Sequence, residues 1–210
     1  MNFYHTLQTI VMSAIPILVA VISHEVAHGY AAYKLGDPTA KLAGRLTLNP
    51  MPHIDPIGTI LVPGALIFFG SPILFGWAKP VPINPSYLIK RNALLIVSAA
   101  GVVMNFILAL ASALLLKLVL FLPVFLAAPL SSMLYYSIVI NIVLMVFNLI
   151  PIPPLDGGHI LEELLPAEQK IALMRIEPYG MIIIMILLFS GVLNGIISPI
   201  IYSLIQILTG

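Results

Sequence analysis

Long apolar runs, separated by short breaks rich in proline, glycine and charge, set the pattern of this chain. The first runs from about Leu7 to Leu35, and between Ile10 and Ile22 Ser13 is the only polar side chain. A run of about 20 apolar residues spans a bilayer as one helix, so this segment is predicted to cross the membrane, mildly kinked at Pro16. Gly36-Asp37-Pro38 carries helix-stop chemistry, and residues 39–56, with Lys41, Arg45, Asn49-Pro50 and Asp55-Pro56, read as an irregular interfacial loop. A second run, Ile57 to Phe75, is interrupted at Pro63-Gly64 and Gly70-Ser71-Pro72 and predicts a broken or short span. Residues 76–85 (GWAKPVPINP) cannot form a regular helix; their prolines favour extended backbone, which offers an edge for strand addition by a peptide or serves as a plain connector.

Further spans are predicted from about Arg91 to Leu122 and from Ser132 to Ile150, with a short loop bracketed by Pro123 and Pro129 between them. The second ends in Pro151-Ile152-Pro153-Pro154-Leu155-Asp156-Gly157-Gly158-His159, where no helix can be continuous. Glu162, Glu163, Glu168, Lys170, Arg175 and Glu177 mark an amphipathic surface stretch. The last run, Tyr179 to Leu208, is expected to split near Gly191, Asn194-Gly195 or Ser198-Pro199. The fold class is an all-α membrane protein: a polytopic bundle of about five to six transmembrane helices with broken or re-entrant segments.

Composition agrees. Of 210 residues, 60% are hydrophobic and 8% charged, against about 25% charged in soluble domains. The chain is expected to be one membrane-embedded domain over residues 1–210. Its N-terminus lacks the basic start of a signal peptide, so the first span is expected to be retained. A net charge of +1 gives no sign of a nucleic-acid partner, and with no cysteine any metal must take histidine and carboxylate ligands. The basic residues divide four against five between the two sides of a five-span topology, which sets no orientation.

One turn of the first span breaks the apolar pattern with three ionisable groups, His24, Glu25 and His28. Each is costly in an apolar helix unless paired or metal-bound. His24 and His28, four apart, share one face, so both rings can reach a single zinc ion; Glu25 is placed to act as general base toward water on the metal. A catalytic zinc takes a third protein ligand. His53, Asp55, Asp156 and His159 are the candidates; periodicity does not choose among them, and Asp156 is favoured by its broken, glycine-flanked turn beside an apolar span. Gly101 and Asn105 fall on one helix face, where Asn105 can bond across helices or toward a reacting carbonyl. A metal carrier or a structural membrane protein uses similar residues, but carriers often show internal repeats and several carboxylates along a path, which this chain lacks.

The segments 23–50, 53–63, 75–85, 98–109 (SAAGVVMNFILA) and 148–161 (NLIPIPPLDGGHIL) together resemble the site-2 protease family of intramembrane zinc metalloproteases, in its minimal form without a PDZ-like or CBS-like domain. The resemblance implies one zinc per chain held by His24, His28 and Asp156, water activated by Glu25, help at the site from Asn105 of a GxxxN motif, and substrate or oxyanion stabilisation by Asn148. It also implies hydrolysis of peptide bonds within or next to a transmembrane protein substrate, in a lipid bilayer that is a prokaryotic cell membrane.

Overall fold

The computed structural model describes residues 3–69, 76–90 and 92–210, with side chains from residue 11 onward. Eight α-helices make up the described chain: α1 Phe3–Lys34, α2 Thr39–Leu42, α3 Val62–Phe68, α4 Ala93–Leu118, α5 Val124–Asn148, α6 Asp156–Leu164, α7 Ala167–Phe189 and α8 Val192–Thr209. Five of them, α1, α4, α5, α7 and α8, are long and apolar enough to cross a membrane, and no strand occurs among the described residues. The chain is a polytopic all-α bundle and a multi-pass membrane protein.

Helix α1 is continuous through Pro16 and stops where expected. Gly36 adopts a φ of +111°, Asp37 N–H returns to the Ala32 carbonyl at 2.9 Å, and Gly36 N–H to that of Tyr33 at 3.3 Å. This is the paired closure of a helix C-terminus that a left-handed residue permits. In the described part of the second apolar run a π-helical turn over Pro56–Leu61 continues into α3, and this piece, Pro56–Phe68, is by itself too short to cross. The expected break at residues 70–72 and the end of the run at Phe75 lie outside the described residues, as does the expected start of the third span at Arg91.

Two expectations about boundaries are corrected. The loop placed between Pro123 and Pro129 is helix: α5 begins at Val124, with Leu126 and Ala127 N–H both bonded to the Pro123 carbonyl. Pro129 lies in the second turn, where it forgoes one backbone bond without ending the helix. The span placed from Tyr179 starts instead at Ala167, and α7 runs unbroken through Pro178. Charged residues lower hydropathy without lowering helix propensity, so Glu168 to Glu177 of the polar stretch form the first half of the same helix, while Glu162 and Glu163 end α6. The expected split of the last run is present at Gly191, whose φ is +78°. The loop over residues 39–56 holds two short helical turns, α2 and a 3₁₀ turn at Met51–His53.

Helix α4 is the centre of the bundle, packed against α1, α5 and α6. Val102, Ala109, Ala113, Ile138, Ile142, Met145, Val146 and Ile205 close the core between α4, α5 and α8. A second cluster, Ile150, Leu155, Ile184 and Leu193, joins the proline break to α7 and α8. In lipid such contacts act through close packing rather than exclusion of water, so small residues decide the approach. A Cβ on Gly180 would fall 1.6 Å from the Pro153 carbonyl oxygen, so only glycine lets α7 lie on the break.

Segment 76–84 is held against this bundle through its backbone. Trp77 N–H bonds the Gly58 carbonyl (3.1 Å), Lys79 N–H the His53 carbonyl (2.9 Å), and the Lys79 carbonyl accepts from Arg45 Nη2 (2.6 Å). Asn84 N–H donates to Asp37 Oδ2 at 2.6 Å. Asp37 is fully buried. Burial pushes its carboxyl up, but hydrogen bonds from the Thr39 side chain, Asn84 N–H and Thr39 N–H outweigh this and hold it below its ordinary value. Because the folded value is the lower one, Asp37 contributes stability that is complete above the ordinary carboxylate value of about 4 and lost as pH falls through the folded value. Thermal unfolding in detergent is therefore expected to show wild type more stable than Asp37→Ala at pH 7, with the gap narrowing below about pH 4. A gap unchanged down to pH 2 would refute the charged role.

Candidate metal and active site

The two histidines of α1 turn inward together. His24 Nδ1 donates to Asn105 Oδ1 at 2.6 Å and His28 Nδ1 to the Val97 carbonyl at 2.7 Å, both on α4. With Nδ1 carrying the proton in each ring, both Nε2 atoms are bare acceptors. These bare nitrogens lie 3.0 Å apart. Asp156, the first residue of α6, completes the group: its Oδ2 is 3.2 Å from His24 Nε2 and its Oδ1 3.3 Å from His28 Nε2. Asp156 Oδ2 is buried and has no hydrogen-bond donor.

With both rings neutral, four electron-rich atoms thus converge with no proton between them, an arrangement that repels itself unless a cation sits among them. Two ligands bound at 2.0–2.1 Å in a tetrahedral site stand about 3.3 Å apart, and the observed separations of 3.0–3.3 Å fit this. The imidazole and carboxylate set suits zinc. Of the third-ligand candidates only Asp156 joins this group, and no other such group occurs among the described residues. His53 bonds the Thr47 carbonyl, Asp55 caps the π-helical turn through Ile57 and Gly58 N–H, and His159 lies 3.5 Å from Glu162.

Glycines make the convergence possible. A Cβ on Gly101 would fall 2.3 Å from His28 Nε2 and 2.6 Å from His24 Cε1, so α4 must present bare backbone to the rings. On Gly157 and Gly158 it would meet the Leu149 carbonyl oxygen and Pro153 nitrogen, each at 2.3 Å. The LDGG turn therefore seats the start of α6 on the end of α5 and aims Asp156 at the histidines. A carboxylate in the first turn also faces the positive end of the helix.

Glu25 stands apart from the ligand group, its Oε2 accepting the Val81 N–H of the extended segment at 2.8 Å. A cleft of about 170 Å³ opens beside it, lined by Val21, His24, Glu25, Trp77, Asn148 and Met181 among others. Asn148 is thus at the cleft, although its amide nitrogen bonds the Leu144 carbonyl of its own helix (3.0 Å). The cleft is lined mostly by apolar residues and reaches the site at His24 and Glu25; Asp156 is not among the residues that line it. Asn105, fully buried, serves the site from behind rather than from the cleft.

Sequence reasoning missed three contributors: Val81, whose backbone meets Glu25; Asn141, bonded to Asn105 at 2.9 Å; and the Val97 carbonyl under His28. An asparagine inside a span was the one signal available, and Asn141 showed it.

The profile described as "Peptidase family M50" matches residues 122–191, from the start of α5 through α7. Over 201 residues the chain is 41% identical to the Bacillus subtilis protein YwhC, which carries a provisional zinc-metalloprotease name; the match covers 93% of this chain and 88% of YwhC. It is 31% identical over 189 residues to Rip2 of Mycolicibacterium smegmatis (88% of this chain, 69% of Rip2) and 29% identical over 194 residues to Rip2 of Mycobacterium tuberculosis (90% and 71%), similarly named. No solved structure matches significantly. With 41% identity to YwhC over 93% of its length, the chain belongs to peptidase family M50, the site-2 protease family of membrane metallopeptidases.

Proposed function

We propose that the protein hydrolyses peptide bonds within or next to the transmembrane helix of a membrane-protein substrate, using one zinc ion held by His24, His28 and Asp156. The observation that carries this reading is the convergence of two bare Nε2 atoms and a carboxylate whose buried Oδ2 has no hydrogen-bond partner inside a membrane-spanning bundle, beside a cleft that also exposes a carboxylate not needed as ligand. Zinc bound there would supply Lewis-acid polarisation of the scissile carbonyl and acidification of a water molecule.

The chain's own residues supply the rest. Glu25, in reach of the cleft, takes the proton of the attacking water and passes it to the leaving amine. Asn148 lines the cleft and is the side chain available to hold the substrate backbone there. Asn105, bonded to His24 and turned away from the cleft, orients a ligand and has no reach to a reacting oxygen, so its contribution is through His24.

The extended segment bears on substrate binding. In extended backbone, successive residues turn their amide groups to opposite edges. Residues 77, 79 and 81 spend theirs on the bundle, so 78, 80 and 82 form the outer edge. Pro80 and Pro82 have no N–H, leaving Ala78 as the only outer donor against three carbonyls. A substrate strand pairing here would be held mainly through its own N–H groups.

Metal removal tests the reading. Purified protein in detergent is expected to carry about one zinc per chain and to cleave a reconstituted single-span substrate. Stripping the zinc with a chelator should abolish cleavage, and stoichiometric zinc should restore it. Full cleavage by zinc-free protein would refute the proposal.

A further inference from the structure

Asn141 lies on α5, is 1% exposed, and is neither among the residues that line the cleft nor in the ligand group. Its amide makes two bonds of fixed polarity, beside a longer one from Nδ2 to the Ser137 hydroxyl at 3.3 Å. Nδ2 donates to the Ser137 carbonyl at 2.8 Å, and Oδ1 accepts from Asn105 Nδ2 at 2.9 Å. A backbone carbonyl is an acceptor only, so the Asn141 amide cannot turn over without setting oxygen against oxygen at Ser137 and nitrogen against nitrogen at Asn105. Asn105 is constrained in turn. Its Nδ2 serves Asn141 Oδ1 and, at 3.3 Å, the Ala20 carbonyl, which leaves Oδ1 to face His24 Nδ1. An oxygen there demands a proton on His24 Nδ1, and so a bare Nε2.

We infer that Asn141 is a positioning residue for the metal centre: through Asn105 it selects the His24 tautomer that can bind the metal. His28 needs no such relay, because its Nδ1 meets the Val97 carbonyl directly. His24 meets an amide that has two orientations, and only one of them is compatible with a ligand. Without Asn141, the remaining anchor of that amide is the long bond to Ala20. Turned over, Asn105 offers Nδ2 to His24, the ring proton moves to Nε2, and it points at the metal position. The inference rests on the zinc reading above for the identity of the ion, but its central claim concerns the proton on His24 and is read without metal.

The test uses full-length protein in detergent with ¹⁵N-labelled histidine. In zinc-free wild type, His24 (assigned by loss of its signals in His24→Gln) is expected to be the Nδ1–H tautomer. A wild-type Nε2–H tautomer overturns the inference before any variant is made. In Asn141→Leu, a near-isosteric apolar replacement, an Nε2–H population should emerge and zinc affinity, measured by chelator competition, should fall about tenfold, the lower end for residues that support metal ligands. Asn141→Asp, neutral in so buried a place, can still donate to Ser137 and accept from Asn105, and should restore both readouts. In an Asn105→Ala background Asn141→Leu should cost nothing further in zinc affinity. An undiminished tenfold loss there, or an unchanged tautomer in Asn141→Leu, would show that Asn141 acts only through packing. Wild-type protein with the Nδ1–H tautomer but no zinc affinity would support the relay while sinking the metal reading.

Discussion

Glu25→Gln is expected to lower cleavage of a transmembrane substrate by about a thousandfold or more while leaving bound zinc unchanged. General-base catalysis contributes roughly 10²–10⁴ in rate, and no other carboxylate lines the cleft to substitute for it. Glutamine keeps the size of glutamate and an oxygen that can still accept the Val81 N–H, now at 2.8 Å from Glu25 Oε2, so the extended segment stays in place. It has no lone pair basic enough to take a proton from water. The ligand group of His24, His28 and Asp156 does not involve position 25, so metal content should match wild type. Metal analysis and single-turnover cleavage on the same preparation decide the matter. Cleavage within a few-fold of wild type would remove Glu25 from the mechanism, whereas loss of zinc together with activity would make it a ligand.

Gly101→Ala adds a single methyl group and is expected to weaken zinc binding at least about a hundredfold, the upper end for supports of metal ligands, since it displaces the ligands themselves. The new carbon would sit 2.3 Å from His28 Nε2 and 2.6 Å from His24 Cε1, well inside van der Waals contact. The rings cannot simply swing aside, because Nδ1 of each is tied to α4 itself, at Asn105 and Val97. Either those bonds break or α1 moves away from α4, and both disperse the ligand atoms. The helix itself should not suffer, since alanine is a better helix former than glycine by about 1 kcal/mol. Against that gain, breaking those bonds or parting α1 from α4 costs the zinc-free protein about 1–3 kcal/mol, so its thermal unfolding should fall modestly below wild type while zinc affinity collapses. Wild-type zinc affinity in this variant would mean that the rings do not lie against α4.

How far the site was legible depends on the range over which each feature acts. His24 and His28 share a face because a helix repeats every 3.6 residues, and that periodicity is present in five consecutive letters. The stop at Gly36, the break at residues 151–155 and the split at Gly191 were equally legible, since proline and glycine act on their own backbone. The misplaced starts of α5 and α7 have different causes: at α5 Pro129 sits in the second turn, where it forgoes one backbone bond without ending the helix, while at α7 the polar stretch hid the start. Hydropathy reports where the chain leaves the lipid, whereas helix continues through Glu168, Lys170 and Arg175 because those residues favour it.

The sequence by itself determined a multi-pass helical membrane protein, the inward turn that carries two histidines and a glutamate, and, through its likeness to a known family, the aspartate that joins them. What only the tertiary structure decided is the chemistry of those groups. The proton on His24 is set by Asn105, 81 residues away, and Asn105 by Asn141 on a third helix. The orientation of Glu25 is set by the backbone of Val81, an atom no side-chain pattern can encode. Spacing along one helix aims a ligand, but its tautomer depends on which donor or acceptor a neighbouring helix brings to the other side of the ring, and only the packed bundle specifies that.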